Sequence, residues 1–386
     1  MRQTVVIIII LIMSLTCSGC WNRQELDQMD ILLGAGLDIV DNEVLVAAQV
    51  ARAGILAADV PQEPAFRVYS ATGRTVFDAI RNVTLTSANK MFWGHHQVLL
   101  IGEEFAKDGI MEGISFFARD HEVNRFVDLV LFKGDIEEVM NMHVAKKSLP
   151  MLELRSLIEN YAANAKVIEM PVSNFMKINS TPGICVVVPI LTVNEVAGQS
   201  VFKLDGTALI AENKLVGELT ANETRGLLWL LNRVKSAILV IDVTETAKKN
   251  DFAIREVSLE VLAASTKIVA NGNLKFTVES EVEVSFGEDI FREKIYRDQE
   301  SEIKAMIEEE AAKLIEREIE RLLEITQELQ TDPAGFGRAM YRQRPNEWRE
   351  IEAGWCEETY PSIEVSYDIN VSITGRMMLR EYDSMN

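Results

Sequence analysis

Apolar and polar residues alternate along the chain in short blocks that predict strands and amphipathic helices in mixed order. Residues 31–38 and 44–50 predict a hairpin that turns at Asp41-Asn42. Residues 76–83 carry apolar side chains at helical spacing. Residues 363–373 alternate strictly, as a half-buried strand does. The other segments that read as strands are residues 66–71, 98–101, 126–132, 190–196, 202–210, 214–218, 237–243, 257–261 and 274–286.

The longest helical pattern covers residues 300–330 and ends before Asp332-Pro333. Its apolar positions fall on one face, which favours an amphipathic helix laid across a sheet. A coiled coil that binds a partner is the alternative, although about four heptads is short for one. The whole pattern predicts a multi-domain α+β (mixed α/β) fold. We expect antiparallel-rich sheets with packed helices and one long helix in the C-terminal half.

The N-terminus has the pattern of an export signal. Arg2 is followed by an uncharged apolar run over residues 5–13 and then by mostly small residues up to Cys20. The uninterrupted run of nine residues is too short to cross a bilayer, which takes about 20 residues of helix. Ser18 and Gly19 are small, as a signal peptidase requires. The sequence therefore predicts a signal peptide over residues 1–19.

The run Cys17-Ser18-Gly19-Cys20 resembles the bacterial lipobox, in which a cysteine is lipidated and becomes the new N-terminus. A lipobox usually has leucine at the position of Cys17. Lipidation at Cys17 itself is a rival frame, but Leu15 and Thr16 fit it less well. We predict Cys20 as the lipidated residue, followed by an N-terminal domain over 20–197 and a C-terminal domain over 198–386.

The net negative charge of the chain limits the kinds of partner that it can bind. The chain has 386 residues, 59 of them acidic and 39 basic, for a formal charge of −20. Such a chain is repelled by nucleic acid and by anionic headgroups, so membrane contact must come from a lipid anchor. Besides Cys20, the chain after the signal contains Cys185 and Cys356. A long-range disulfide and two buried thiols are both open for this pair.

No specific catalytic or metal-binding constellation is found in the sequence. The four histidines are the adjacent pair His95-His96 and the isolated His121 and His143, a distribution that suits chelation poorly. The compact charged run at residues 119–122 favours structural ion pairing over acid–base chemistry. HExxH, GxSxG, P-loop and GxGxxG motifs are all missing. We therefore predict no catalytic residues, no metal and no cofactor.

Several blocks, in order, resemble one family over nearly the whole chain. They begin with CWNRQEL at residue 20 and the glycine-containing strand at residues 34–38. The later blocks are ATGRTVFDAIRNV (71–83), GHHQVLLIG (94–102), ARDHEVNR (118–125), LVGELTANETRGLLWLLN (215–232) and DPAGFGRAMYRQRPNEW (332–348), followed by Trp355. Together these blocks resemble the Ger(x)C family, the C-subunit lipoproteins of spore germinant receptors.

The resemblance implies a non-catalytic, lipid-anchored subunit on the outer face of the spore's inner membrane. It implies partners in an integral-membrane A-type subunit and a transporter-like B-type subunit, which together respond to nutrients. No ligand-contacting residue beyond the lipidated Cys20 can be carried over.

Two other classes compete with this interpretation. A solute-binding lipoprotein of an ABC-type importer would have two similar lobes, and no internal repeat is evident here. An envelope hydrolase would depend on Asp120 or Glu122. If the chain binds partners, the long helix and residues 348–355 are candidate contacts, with buried tryptophans as the alternative interpretation.

Overall fold

The computed structural model describes Gln3 and residues 29–51, 65–119, 124, 126–142, 149–160, 164–250, 252, 254–287 and 299–374. Cys20 and nearly all of the predicted signal peptide lie outside the described residues. The same is true of Asp120, His121, Glu122 and His143.

The first half of the chain builds a mixed sheet, ordered β3-β2-β1-β5-β6-β7-β8-β9 with β4 beside β1. Its strands are β1 (Met29–Val40), β2 (Glu43–Ala51), β3 (Phe66–Gly73), β4 (Lys90–Phe92), β5 (Val98–Gly102), β6 (Asp128–Phe132), β7 (Val186–Val196), β8 (Gln199–Ala211) and β9 (Lys214–Leu219). The central strands β1, β5, β6 and β7 run parallel. The outer strands pair antiparallel on both sides. A parallel centre needs crossover connections, and helices supply them.

Helices cover both faces of this sheet. They are α1 (Val76–Val83), α2 (Glu103–Arg119), α3 (Ile136–Asn141), α4 (Pro150–Glu159) and α5 (Val172–Asn179). The apolar sides of α3 and α4 pack on one face. The apolar sides of α1, α2 and α5 pack on the other, in a core that continues into the second half of the chain. Both faces of the parallel strands are therefore buried, as is usual for such sheets.

The second half builds a smaller sheet, ordered β10-β11-β12-β13, in which only the β12–β13 pair is parallel. The strands are β10 (Ile238–Asp242), β11 (Glu256–Gly272), β12 (Lys275–Phe286) and β13 (Glu364–Ile373). The helices are α6 (Ala221–Leu230), α7 (Thr244–Lys249), α8 (Glu300–Glu328), α9 (Phe336–Gln343) and α10 (Pro345–Ile351). The long helix α8 packs against β13, β10 and α6. The predicted α+β fold with one long helix in the C-terminal half is confirmed.

Local predictions agree closely with the structure. Asp41 and Asn42 both have positive φ, 50° and 64°, as a two-residue hairpin turn requires. The residues buried on α1 are the four whose spacing predicts its apolar face. On α8 the buried stripe includes Ile315 and Ile319, whereas Leu314 is only partly buried. The helix therefore lies across the sheet, as expected.

The predicted domain boundary falls in the middle of a hairpin. Residues 197 and 198 form the turn between β7 and β8, which pair along ten positions of the first sheet. The first sheet ends only at Leu219 of β9, and the second begins at β10. The division of the chain into domains at residue 198 stays a prediction, while the division between the two sheets lies after Leu219.

Helix α6 follows the last strand of the first sheet, packs against β8 of that sheet and β11 of the second, and crosses α8. Thr220 and Glu223 form a capping box at the start of α6. One turn later, Arg225 pairs with Glu318 of α8, and both side chains are only 11% exposed. The indole Nε1 of Trp229 donates to the same Glu318 carboxylate at 2.9 Å. Gly226 lies against the Glu318 backbone carbonyl, where a Cβ would overlap it. Close approach of the two helices therefore depends on the missing side chain at this glycine.

We expect Gly226→Ala to lower the free energy of unfolding by about 1–3 kcal/mol, because the added methyl group must push α6 away from α8. Asn222→Ala, on the exposed side of α6, is the matched control. Urea denaturation followed by circular dichroism measures both. Equal stability of the two variants would contradict the close crossing.

Candidate functional site

A buried carboxylate organises the segment after α8. Asp332 is fully buried, and Pro333 beside it prevents the helix from continuing. One carboxylate oxygen accepts hydrogen bonds from the backbone nitrogens of Gly335 (2.7 Å) and Phe336 (3.1 Å). The other accepts from the nitrogen of Gly337 (2.8 Å) and from the indole Nε1 of Trp355 (3.0 Å). Four donors thus satisfy the buried charge of this carboxylate.

Burial raises the pKa of Asp332 to about 6, even though all four hydrogen bonds favour the ionised form. The side chain is therefore ionised at neutral pH. The carboxylate accepts hydrogen bonds from the backbone nitrogens of residues 335–337, and these bonds orient the first turn of α9. This is a structural role, because the carboxylate has no exposed surface through which to reach a substrate.

The same loop joins the second half of the chain to the first. The backbone nitrogen of Cys185, just before β7, donates to the carbonyl oxygen of Asp332 at 2.8 Å. The nitrogen of Arg338 donates to the carbonyl oxygen of Gly183 at 2.7 Å. Gly183 has a φ of +67°, and a Cβ there would overlap the backbone of Gly337. The two loops therefore lie backbone to backbone, which only glycine permits.

An aromatic cluster fills the space around this junction. The ring centroids of Trp348 and Trp355 lie 5.4 Å apart, and those of Phe276 and Phe336 lie 5.2 Å apart. Trp348 and Trp355 are 2% and 3% exposed. The Tyr360 hydroxyl lies 2.7 Å from Thr326 Oγ1 on α8. The tryptophans of residues 348–355 thus belong to the core, and the alternative interpretation of this segment is the correct one.

The sequence leaves open whether Cys185 and Cys356 form a disulfide, and the structure places both at this junction. The Sγ atoms of Cys185 and Cys356 are 4.0 Å apart, and both side chains are partly buried. They are thiols in the structure, without a bond between them. Sequence spacing alone could not bring them together, because 171 positions separate them.

His96 is a buried base in the first sheet. It is fully buried, and its Nε2 lies 2.7 Å from the carbonyl oxygen of Val98 and 3.1 Å from the backbone nitrogen of Ala35. Nε2 donates to Val98 in one neutral tautomer and accepts from Ala35 in the other. Nδ1 has no hydrogen-bond partner among the described residues. Burial lowers the pKa of His96 to about 4, so the ring is neutral at physiological pH. Its neighbour His95 is exposed, and the two rings do not form a chelating pair.

The described residues include two surface grooves that are open to small molecules. One, of about 490 Å³, lies between α1 and α2 and is lined by Phe77, Phe116, Glu112, Ser115 and Arg119 among others. The Ser115 hydroxyl donates to the carbonyl oxygen of Met111 in its own helix, so it is not prepared as a nucleophile. The second groove, of about 380 Å³, lies beside β8. Within the described ranges, three or more His, Cys, Asp or Glu side chains never converge as a metal site would require. Among these same residues, no helix is long and apolar enough to span a bilayer.

The structure defines an α+β protein with two sheets, which are joined through α6 and through the loop around Asp332. A model of the spore germination protein N-terminal domain matches residues 22–193, and a model of the spore germination B3/GerAC-like C-terminal domain matches residues 205–377. The chain therefore belongs to the Ger(x)C, or GerAC-like, family of spore germination proteins.

Individual relatives are similar over nearly their full length. Spore germination protein KC of Bacillus subtilis is 23% identical, with 97% of this chain and 96% of the relative covered. Spore germination protein B3 of the same organism is 22% identical, with 94% and 95% covered. The crystal structure of the GerBC protein is 19% identical, with 91% of this chain and all of that chain covered and a TM-score of 0.53. That structure supports the fold alone.

We expect Asp332→Asn to lower the free energy of unfolding at neutral pH by about 2–4 kcal/mol. An amide offers one oxygen and one NH₂ group, so at least one of the four donors would face another donor. Glu328→Gln removes the same charge at an exposed position and is the control. If both variants unfold at the same urea concentration, the carboxylate does not organise the loop.

A second prediction concerns pH. The folded pKa of His96, about 4, lies below its ordinary value of 6.5, so only the unfolded chain takes up this proton as the pH falls from 6.5 towards 4. The free energy of unfolding should lose up to about 3 kcal/mol through this group. Asp332 acts oppositely, because its raised pKa lets the folded chain take up a proton first below about pH 6.

The difference between native protein and His96→Gln isolates the histidine. The native protein's advantage at pH 7 should shrink by up to about 3 kcal/mol at pH 4. His95→Gln, which removes the exposed neighbouring imidazole, is the matched control. An advantage that stays constant with pH would show that His96 titrates equally in both states.

Proposed function

We propose that the chain is a non-catalytic, lipid-anchored subunit of a spore nutrient germinant receptor. It acts in germination through contacts with an integral-membrane A-type subunit and a transporter-like B-type subunit. Cys20 carries the lipid, on the outer face of the spore's inner membrane. The observation that carries the proposal is the match of both family models, in order, to the two halves of one chain. The names of the relatives, spore germination proteins KC and B3, support the germination role.

The described residues also favour a binding role over catalysis. The buried Asp332 and His96 face backbone groups rather than an open cleft. The alternative, a solute-binding lipoprotein with two similar lobes, is disfavoured because the two sheets differ in strand number, order and direction. Contacts between backbones and between helices hold the halves together, which suits a subunit that presents a fixed surface to its partners.

The position of Cys20 suggests which end of the molecule faces the membrane. Nine positions separate it from Met29, so the anchor lies within about 30 Å of the start of β1. Asp30 accepts hydrogen bonds from Ser87 and Asn89, in the loop between α1 and β4. Leu85 in that loop is 82% exposed. In the proposed arrangement, the start of β1 and the loop beside it therefore lie at the end of the molecule nearest the membrane.

We expect Cys20→Ala to release the protein from the membrane fraction, because the loss of acyl chains removes about 0.8 kcal/mol of binding for every buried CH₂. Intact-mass analysis and membrane fractionation measure acylation and attachment. Cys17→Ala is the matched control. It should stay acylated and attached, because it removes only the rival lipidation site and leaves Cys20 intact.

The opposite result, with Cys17→Ala released and Cys20→Ala retained, would move the anchor to Cys17. Native protein that is soluble and unacylated would contradict anchoring altogether. If the native protein is anchored, the membrane proteins that co-purify with it should include an A-type and a B-type subunit. Their absence would contradict the proposed receptor assembly.

A further inference from the structure

The thiols of Cys185 and Cys356 have the arrangement of a pair that can be bridged. Their sulfur atoms are 4.0 Å apart, about 2 Å beyond a disulfide bond. Cys185 lies just before β7 of the first sheet, whereas Cys356 lies in the helical turn of residues 355–359, between α10 and β13. A bond between them would join the two halves of the molecule.

One residue holds both partners in place. The carbonyl oxygen of Asp332 accepts from the backbone nitrogen of Cys185, and its carboxylate accepts from the indole of Trp355, the residue before Cys356. Trp355 in turn packs against Trp348, Tyr360 and Phe276. Thiols held this firmly lose little further freedom on bonding, which favours an intramolecular disulfide over mixed disulfides.

We infer that Cys185 and Cys356 are a redox site, at which the exported protein forms an interdomain disulfide. The oxidant is a disulfide, either a thiol–disulfide oxidoreductase or a small-molecule disulfide. The Cys356 thiolate attacks one oxidant sulfur, forms a mixed disulfide and releases the first oxidant thiol. Cys185 then loses its proton and attacks the Cys356 sulfur, which releases the second. One disulfide forms and one breaks, and two electrons and two protons pass from the protein to the oxidant.

The environment assigns different roles to the two thiols. The pKa of Cys356 is lowered by its hydrogen bond with Cys185, in which either sulfur can donate. The pKa of Cys185 is raised, by that same hydrogen bond and by its deeper burial. Cys356 is followed by the exposed residues Glu357 and Glu358, whereas Cys185 is followed by the buried Val186, so an oxidant reaches Cys356 first and Cys185 resolves the mixed disulfide. Asp332 and Glu357, both nearby, disfavour the thiolate at Cys356 but leave this order unchanged.

The bond would close a loop of 171 residues, and long loops give the largest stabilisation through the unfolded chain. Its occurrence in the cell rests on the export that the proposed function includes, because disulfides persist outside the reducing cytoplasm. The chemistry itself depends only on the folded chain.

The test uses the purified chain in buffers that range from reduced to oxidised glutathione, followed by alkylation and peptide mapping. We expect a peptide containing Cys185 joined to one containing Cys356, with a mass lower by two hydrogens. The oxidised chain should melt about 5 °C or more above the same chain in dithiothreitol. This comparison needs no variant. Cys185→Ser should trap glutathione on Cys356, and faster than Cys356→Ser traps it on Cys185.

The inference would be overturned if both thiols stay free in oxidised glutathione. It would also be overturned if glutathione adds to each cysteine and no joined peptide forms. A joined form that melts no higher than the reduced chain would overturn it too. These outcomes are separate from the proposed function. A chain that forms the disulfide in the test tube can still prove to be unanchored when native protein and Cys20→Ala are fractionated. An anchored chain can likewise form no disulfide.

Discussion

The fold of the C-terminal half depends on satisfying one buried negative charge, that of Asp332. Burying a carboxylate is costly unless its oxygens are satisfied, and here three backbone nitrogens and one indole do this. The requirement dictates the path of residues 332–337 and the orientation of Trp355. It also fixes the carbonyl that binds Cys185 from the other half of the chain. A single side chain thus links the end of the long helix, the aromatic cluster and the junction between the sheets.

Several residues in the sequence blocks that resemble the family form the packing contacts described above. Arg225, Gly226 and Trp229 belong to one block, and all three meet Glu318 on α8. In a second block, Asp332 and Gly337 meet the loop before β7. One hydrophobic core continues from the first sheet through α6 and α8 to the second. These blocks therefore specify how two halves are held together, which is a different task from catalysis.

The features that were predictable from the sequence are those with local physical causes. The Asp41-Asn42 turn, the Thr220 capping box and the single buried face of α8 depend on residues close in the chain. Strand pairing is not local, so neither the parallel centre of the first sheet nor the hairpin across residue 198 could be derived. In the sequence Asp332 marks only the end of a helix, because no pattern there shows that its carboxylate binds the nitrogens of residues 335–337 and the distant indole of Trp355. The main predicted site, Cys20, lies outside the described residues.

The order of the second sheet has a consequence for how the protein is made. β13 pairs in parallel with β12, and the paired residues are 89 positions apart. α8 packs on β13 as well as on α6, so its apolar face stays incomplete until the chain has been synthesised past Ile373. Contacts over such distances in sequence form slowly, since the intervening loop must close first. A nascent chain would therefore keep this apolar surface exposed until β13 has been made, and a chain that stopped before β13 would be prone to aggregation and proteolysis.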